Sequence, residues 1–107
     1  IDRQQIKQAL INLVDNAVAA LKNKGSIVIG LTQDPILEMV RLEVADNGPG
    51  ISDEDKTRLF EPNFSTKSAG MGLGLTIVNS IVMDHKGMIR VLDNQPNGSK
   101  FVIELPM

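Results

Sequence analysis

Apolar positions recur along this chain with two different periods, and the switches between them divide it into elements. From residue 2 to about 22 the period is helical. Ile6, Ala9, Leu10, Leu13, Val14, Ala17, Val18, Ala20 and Leu21 fall on one broad arc. Gln5, Gln8, Asn12, Asp15, Asn16, Ala19 and Asn23 fall on the other side, and Gly25 ends the helix. Ile27, Ile29 and Leu31 then alternate with smaller or polar residues, as do Leu42 and Val44, which predicts strands over 26–32 and 40–46. Gln33-Asp34-Pro35-Ile36 reads as the turn of a hairpin between them. Ser52 or Asp53 caps a short helix through residue 59, and 56–70 carries few regular signals and reads as a loop. A second long helix runs from about 72 to 85, stopped by Gly87. Two more strands, 88–92 and 100–105, are joined by a turn over 93–98. The order helix, two strands, helix, two strands predicts an α+β fold, a two-layer α/β sandwich whose mixed sheet carries helices on one face. There is no internal repeat and no low-complexity tract.

Composition narrows the function classes. A length of 107 residues makes one domain with a single core. Net charge is −2, acids and bases are interspersed, and Trp and Tyr are absent, so nothing favours nucleic acid. Without Cys there is no disulfide framework, Cys-type zinc site or thiol nucleophile, which fits a reducing compartment. No apolar run approaches the roughly 20 residues of a membrane span, and no signal peptide opens the chain. It begins at Ile1 and runs straight into a helical pattern, and is therefore expected to be a piece of a longer protein.

Three places carry candidate chemistry. The polar side of the first helix is built from amides, whereas a generic solvated face uses Lys and Glu. Asn is a poor helix former. Asn12 and Asn16, at i and i+4, put two carbonyl oxygens on one side of one turn, where they suit a hard cation such as Mg²⁺ that also binds phosphate. The alternative is an ordinary wet face. Next, Asp46-Asn47-Gly48-Pro49-Gly50 ends an apolar strand. An ionised carboxylate accepts hydrogen bonds and so can hold an exocyclic amine such as adenine N6, and Gly48 and Gly50 leave room for a flat ring. The alternative is a plain turn capped by Asp46. Finally, Gly70-Met71-Gly72-Leu73-Gly74-Leu75 opens an apolar helix. The phosphate-loop pattern G-x-x-x-x-G-K-S/T is absent, and G-x-G-x-x-G fails because position 75 is Leu. What remains is a glycine hinge feeding a helix N-terminus, either an anion site or a start that is Gly-rich for packing. Lys67, in the loop just upstream, can reach a terminal phosphate as a mobile point charge or stand solvated. His85, the one histidine, reads as structural, beside the end of an apolar helix.

The order of these stretches resembles that of sensor histidine kinases. Asn12-Leu13-Val14-Asp15-Asn16-Ala17 resembles their N box, and Asp46-Asn47-Gly48-Pro49-Gly50-Ile51 their G1 box. Leu59-Phe60-Glu61-Pro62-Asn63-Phe64 looks like the F box, and Gly70-Met71-Gly72-Leu73-Gly74-Leu75 like the G2 box. Asn97-Gly98-Ser99 is similar to the last glycine-containing turn. Five motifs in family order cover nearly the whole chain.

The resemblance implies the Bergerat, or GHKL, ATP-binding fold over residues 1–107, as the catalytic and ATP-binding domain of a longer sensor kinase. It implies that Asn16 coordinates Mg²⁺ and Asn12 assists at the phosphates of ATP. Asp46 would bind adenine N6, with Gly48, Gly50 and Ile51 around the ring. Gly70, Met71, Gly72, Leu73, Gly74 and Leu75 would hold the phosphates. Phe60, Phe64 and the residues to Gly70 would form a short lid, with Thr66 and Lys67 toward the phosphates. Three departures stand out. Asn63 replaces a frequent aromatic, Met71 replaces the usual Ser or Thr, and Ala19 and Ala20 stand where relatives carry Lys, Arg or Tyr, leaving Lys22 or Lys24 as substitutes.

The implied activity is transfer of the ATP γ-phosphoryl group to a histidine on a separate helical dimerisation domain, of the same or a partner subunit, with a response regulator downstream. The acceptor histidine is not in this chain. The implied setting is the cytoplasmic part of a membrane-bound sensor kinase, with this piece monomeric and making no direct membrane contact. A conformational ATPase or an anti-sigma-type serine kinase of the same fold is the rival. Those relatives carry Glu four residues before the metal-binding Asn; here that position is Asn12, and the helix has no Glu. A degenerate interaction module without nucleotide is the third reading.

Overall fold

The structure, a computed structural model, describes residues 2–21, 24–59 and 71–106, with the backbone alone at Ala20 and at 71–74. Its elements are α1 (Arg3–Leu21), β1 (Ile27–Asp34), β2 (Met39–Asp46), α2 (Asp53–Lys56), α3 (Met71–Asp84), β3 (Met88–Asp93) and β4 (Ser99–Pro106). Local chemistry sets most of these boundaries. Asp2 caps α1, its Oδ1 accepting from the backbone N–H groups of Gln4 (3.0 Å) and Gln5 (3.1 Å). Asp34 does the same for the hairpin, its Oδ1 accepting from Ile36 and Leu37 N–H. Ser52 caps α2, accepting from Asp55 N–H at 3.1 Å.

One expectation fails at the end of α3. Gly87 follows the helix, but the residue in the left-handed conformation is Lys86, at φ 58°. Gly87 N–H bonds Val82 O and Lys86 N–H bonds Met83 O, which is the Schellman closure with Lys86 at its left-handed position. Glycine is needed at 87 for another reason: a β-carbon there would lie 2.5 Å from the carbonyl oxygen of Glu104 and 2.6 Å from Leu105 Cδ2.

The described strands form one sheet in the order β1-β2-β4-β3, and every pairing is antiparallel, where a mixed sheet was expected. The physical reason is that β4 slots between β2 and β3. These two run in the same direction and are joined through the helices, but β4 separates them, so no parallel pair forms among the described strands. The layer arrangement is as expected. Leu42 and Val44 of β2, and Phe101, Ile103 and Leu105 of β4, pack against Ala9, Leu13 and Ala17 of α1 and Leu75, Val78, Ile81 and Val82 of α3. Each fully buried Val, Leu, Ile or Phe among them contributes about 1.5–3 kcal/mol. Of β1, Ile27 alone packs against this core; Ile29 and Leu31 remain exposed on an edge strand.

The buried stripe of α1 is narrower than its apolar arc. It runs through Ala9, Leu13 and Ala17, while Val18 is 55% exposed. Asn16, placed by the helical projection off the apolar arc, is buried at 9% exposure. The outer face of the sheet is a charged lattice. Glu104 lies opposite Arg41 and diagonal to Arg90, bonding them at 3.2 and 2.6 Å, and Lys100 pairs with Glu43 at 3.6 Å. Beneath these stems Val102, beside Glu43 and Arg90 in register, is buried with no described helix on that face.

Candidate functional site

Asp46 ends β2 on the helix-facing side of the sheet, where β2 turns into the glycine-rich corner. It is a carboxylate with 2% exposure and no basic partner among the described residues. What holds it is polar and neutral: Gly48 N–H donates to Oδ1 at 2.9 Å, and the Ser99 hydroxyl to Oδ2 at 3.3 Å. Its carbonyl oxygen accepts from Asn94 Nδ2–H at 2.8 Å. Burying a charge this way is costly unless hydrogen bonds or a ligand complete its shell. A carboxylate has acceptor sites for about four bonds, so Asp46 keeps capacity for a donor supplied from outside.

Asn47 closes the corner against the end of α1. Its Oδ1 accepts from Ser26 N–H at 2.8 Å, and its N–H donates to Ser26 O at 3.3 Å. Gly25, at φ 138°, leaves the space this needs, since a β-carbon there would stand 2.5 Å from both Asn47 Oδ1 and Leu21 Cδ2. Gly50 also has positive φ (82°), and its missing side chain faces the Gly98 carbonyl. Ile51, partly buried, packs against the core.

The two long helices pack against each other. His85, at the end of α3, accepts from Asp2 N–H through Nε2 at 3.0 Å. Its Nδ1 lies 2.8 Å from Ile81 O. A backbone amide can only donate, so Nε2 is the acceptor and the ring proton sits on Nδ1. This clip pins the start of α1 to the end of α3, so the chain runs oppositely in the two helices and both extend from the clip side by side. With 14 residues, α3 is about 21 Å long. Fourteen residues from Asp2 along α1 is Asn16. The first turn of α3 therefore lies about as far from the clip along its helix as Asn16 lies along α1.

Asn16 Oδ1 is buried and has no hydrogen-bond partner among the described residues. A buried carbonyl in that condition is costly, by about 1–3 kcal/mol, and is suited to a cation or donor brought by a ligand. Asn12, one turn earlier and half-buried, accepts from Gln8 Nε2–H at 2.9 Å. The described residues include no cluster of three or more His, Cys, Asp or Glu able to hold a metal. A cation here would rely on amide carbonyls and on oxygens carried by its own ligand.

Of the residues read from the sequence, Asn12, Asn16, Asp46, Gly48, Gly50, Ile51 and Leu75 are described in full, and Leu75 is a core residue. Met71, Gly72, Leu73 and Gly74 form the first turn of α3 in backbone. Phe60, Asn63, Phe64, Thr66, Lys67, Gly70 and Lys22 lie outside the described residues. Sequence reasoning missed the roles of Ser99, Asn94 and Asn97 around the Asp46 corner. Their signal is a polar turn, Asp93-Asn94-Gln95-Pro96-Asn97-Gly98-Ser99, with more side-chain amides than a hairpin needs.

A buried carboxylate at a sheet end, an orphaned amide carbonyl and a glycine-rich helix start are the groups these elements offer to a ligand. The family model described as histidine kinase-, DNA gyrase B- and HSP90-like ATPase matches residues 1–107. The chain belongs to this family. Within it, the chain is 38% identical to the sensor histidine kinase ZraS of Escherichia coli (strain K12) over 106 residues, covering 99% of the chain and 22% of that protein. The catalytic domain of histidine kinase ThkA superposes with a TM-score of 0.87 at 43% identity, over 99% of this chain and 68% of that domain; ThkA has also been solved in complex with the response regulator TrrA. Full-length ShkA in complex with AMPPNP superposes at 0.88 with 31% identity, over 99% of this chain and 22% of ShkA. The chain is a histidine kinase-type ATPase domain of the sensor-kinase group, and spans less than a quarter of the length of the curated sensor kinases it matches. No helix among the described residues is long and apolar enough to cross a membrane.

Proposed function

We propose that residues 1–107 form a domain that binds Mg·ATP and presents its γ-phosphoryl group to a histidine on a separate dimerisation domain, as one step of two-component signalling. The observation that carries this reading is the presence of two buried acceptors with capacity for a ligand: the Asp46 carboxylate, which keeps acceptor sites beyond its two hydrogen bonds, and the Asn16 carbonyl, which has no partner among the described residues. Asp46 takes the exocyclic amine of adenine, with Gly48, Gly50 and Ile51 beside the ring. Asn16 holds Mg²⁺ and Asn12 assists at the phosphates. The backbone N–H groups of the first turn of α3, Met71 to Gly74, face phosphate with the favourable end of the helix dipole. Phe60, Thr66, Lys67 and Gly70 complete the site over the phosphates. Bound Mg²⁺ supplies charge neutralisation to the transferring phosphoryl group. The chain's own residues contribute binding and orientation, and no general base is required within them. His85 is engaged at both ring nitrogens and is not the acceptor. The AMPPNP complex of ShkA and the TrrA complex of ThkA support nucleotide binding and a response-regulator partner by similarity. The domain is the cytoplasmic part of its parent kinase and is monomeric alone.

The test is a titration with a non-hydrolysable ATP analogue, with and without Mg²⁺, using Asp46→Ala as control. Saturable, Mg²⁺-strengthened binding that Asp46→Ala abolishes is the expected result. A folded sample that ignores millimolar-order analogue would instead mark an interaction module.

A further inference from the structure

The β3–β4 turn grips the backbone of the Asp46 corner with side-chain amides. Asn94 Nδ2–H donates to Asp46 O at 2.8 Å. Asn97 Nδ2–H donates to two carbonyls at once, Asn47 O at 2.8 Å and Gly48 O at 3.1 Å. The hairpin does not need these bonds to close, because Asn94 N–H already donates to Gly98 O at 3.0 Å. Their effect falls on the other element. The Asn47–Gly48 peptide, whose carbonyl, Asn47 O, accepts from Asn97, carries on its N–H, that of Gly48, the bond to Asp46 Oδ1 at 2.9 Å. Asn97 therefore fixes the glycine whose amide in turn fixes the carboxylate rotamer. It is exposed and outside the core, so core packing does not explain its presence.

We propose that Asn97 is a positioning residue for base recognition, acting on Asp46 through Gly48. The proposal rests on the nucleotide-binding reading above and deepens it. A carboxylate contacts an exocyclic amine well only in one orientation, and a free turn would let the Gly48 peptide rotate and release Oδ1. With Asn97 in place the corner is set before the nucleotide arrives, so the ordering cost is not charged to binding.

The experiment compares ADP and GDP binding to the whole chain and to Asn97→Ala, Asn97→Asp and Asn97→Lys. Guanine carries an oxygen where adenine has its exocyclic amine, so only ADP reads the Asp46 contact. Asn97→Ala is expected to weaken ADP by about fivefold to tenfold, the weight of roughly one hydrogen bond, with GDP unchanged. Asn97→Asp, the same shape without a donor, is expected to do at least as much harm. Asn97→Lys, which restores a donor toward both carbonyls, is expected to recover ADP affinity to within about twofold. Unchanged ADP affinity in Asn97→Ala, or an equal loss for ADP and GDP, overturns the positioning role while leaving the nucleotide reading intact. Failure of the unaltered chain to bind ADP overturns the reading itself, and the proposal with it.

Discussion

Gly98 lies so close over Asp46 that a β-carbon on it would overlap the Asp46 carbonyl oxygen. Its φ of +106° is also one that other residues rarely adopt. The same atoms therefore forbid a side chain twice. Gly98→Ala is expected to cost at least about 2 kcal/mol, or to leave no folded protein, because the neighbour it meets is backbone and cannot swing away. Gly30 provides the contrast. It sits within β1 with nothing inside 4 Å of its missing β-carbon. Gly30→Ala is expected to stabilise by about 0.5–1 kcal/mol, through the lower entropy of the unfolded chain. Thermal melts of the two variants check the pair. A Gly98→Ala protein that melts like the unaltered chain would show that the turn does not press on Asp46.

The end of α3 makes a second pair. Lys86 adopts φ 58°, while the glycine beside it holds a position demanded by packing against Glu104 and Leu105. Lys86→Gly is expected to stabilise by roughly 0.5–1 kcal/mol, relief of left-handed strain less the entropy of an added glycine. Gly87→Ala is expected to destabilise by about 1–3 kcal/mol through the clash with the β4 backbone. Chemical denaturation of both variants, read at constant slope, separates these effects from changes in the unfolded state.

Much of this fold was legible because periodicity reports which face of an element is buried. Both hairpins and both long helices lie where alternation and the helical period place them, with ends displaced by one or two residues. Pairing order was not legible, since nothing in the pattern of β4 says that it enters between β2 and β3. Asn16 was misplaced for a related reason. An arc drawn from apolar residues has no way to include a buried amide. The left-handed turn at Lys86 was hidden because the adjacent glycine offered the cheaper explanation. At the candidate site, glycine spacing and the lone carboxylate pointed to the corner where Asp46 is buried. The amides that hold them, Asn94 and Asn97, sit some 50 residues downstream and read locally as turn formers.

The outer sheet face predicts a pH response. Glu104 lies between Arg41 and Arg90, and its carboxyl is held below the usual range, first by the hydrogen bond from Arg41 and then by the charges of Arg90 and Arg41, against opposing desolvation. A carboxylate with a lowered folded-state pKa stabilises the fold above its unfolded value, near 4.3, and loses that contribution as pH falls through the folded value. Acid unfolding of Glu104→Gln is therefore expected to show a shallower dependence below about pH 4.3. Above pH 5 or so the variant is expected to lose no more than roughly 1 kcal/mol, since the pairs are partly solvated. Lys56 behaves with opposite sign. Its hydrogen bond to Asp93 at 2.6 Å, and secondarily that to Asp53, raise its pKa against desolvation. Its contribution is complete below the unfolded pKa of about 10.4 and disappears as pH rises beyond it.

Asn16 offers the sharpest separation of function from stability. Its Oδ1 is buried without a partner among the described residues, so in the ligand-free protein it is a liability. Truncating it removes the unsatisfied carbonyl and leaves a small gap beside Ala17 and Leu13. The two effects oppose, and the desolvation penalty of an orphaned carbonyl, about 1–3 kcal/mol, is the larger or nearly equal one. Asn16→Ala is thus expected to melt at or slightly above the temperature of the unaltered chain, against the usual outcome for a buried substitution. If Asn16 meets Mg²⁺ as proposed, the same variant loses the Mg²⁺-dependent part of ATP-analogue affinity while keeping the Mg²⁺-independent part that Asp46 contributes. Asp46→Ala reverses the pattern, with binding lost irrespective of Mg²⁺. A structural role for Asn16 predicts a lowered melting temperature and an unaltered Mg²⁺ effect, so calorimetry and the two titrations decide between the roles. Proteins keep such groups where a ligand completes them, and a residue whose removal helps the empty fold and harms the loaded one is evidence of that use.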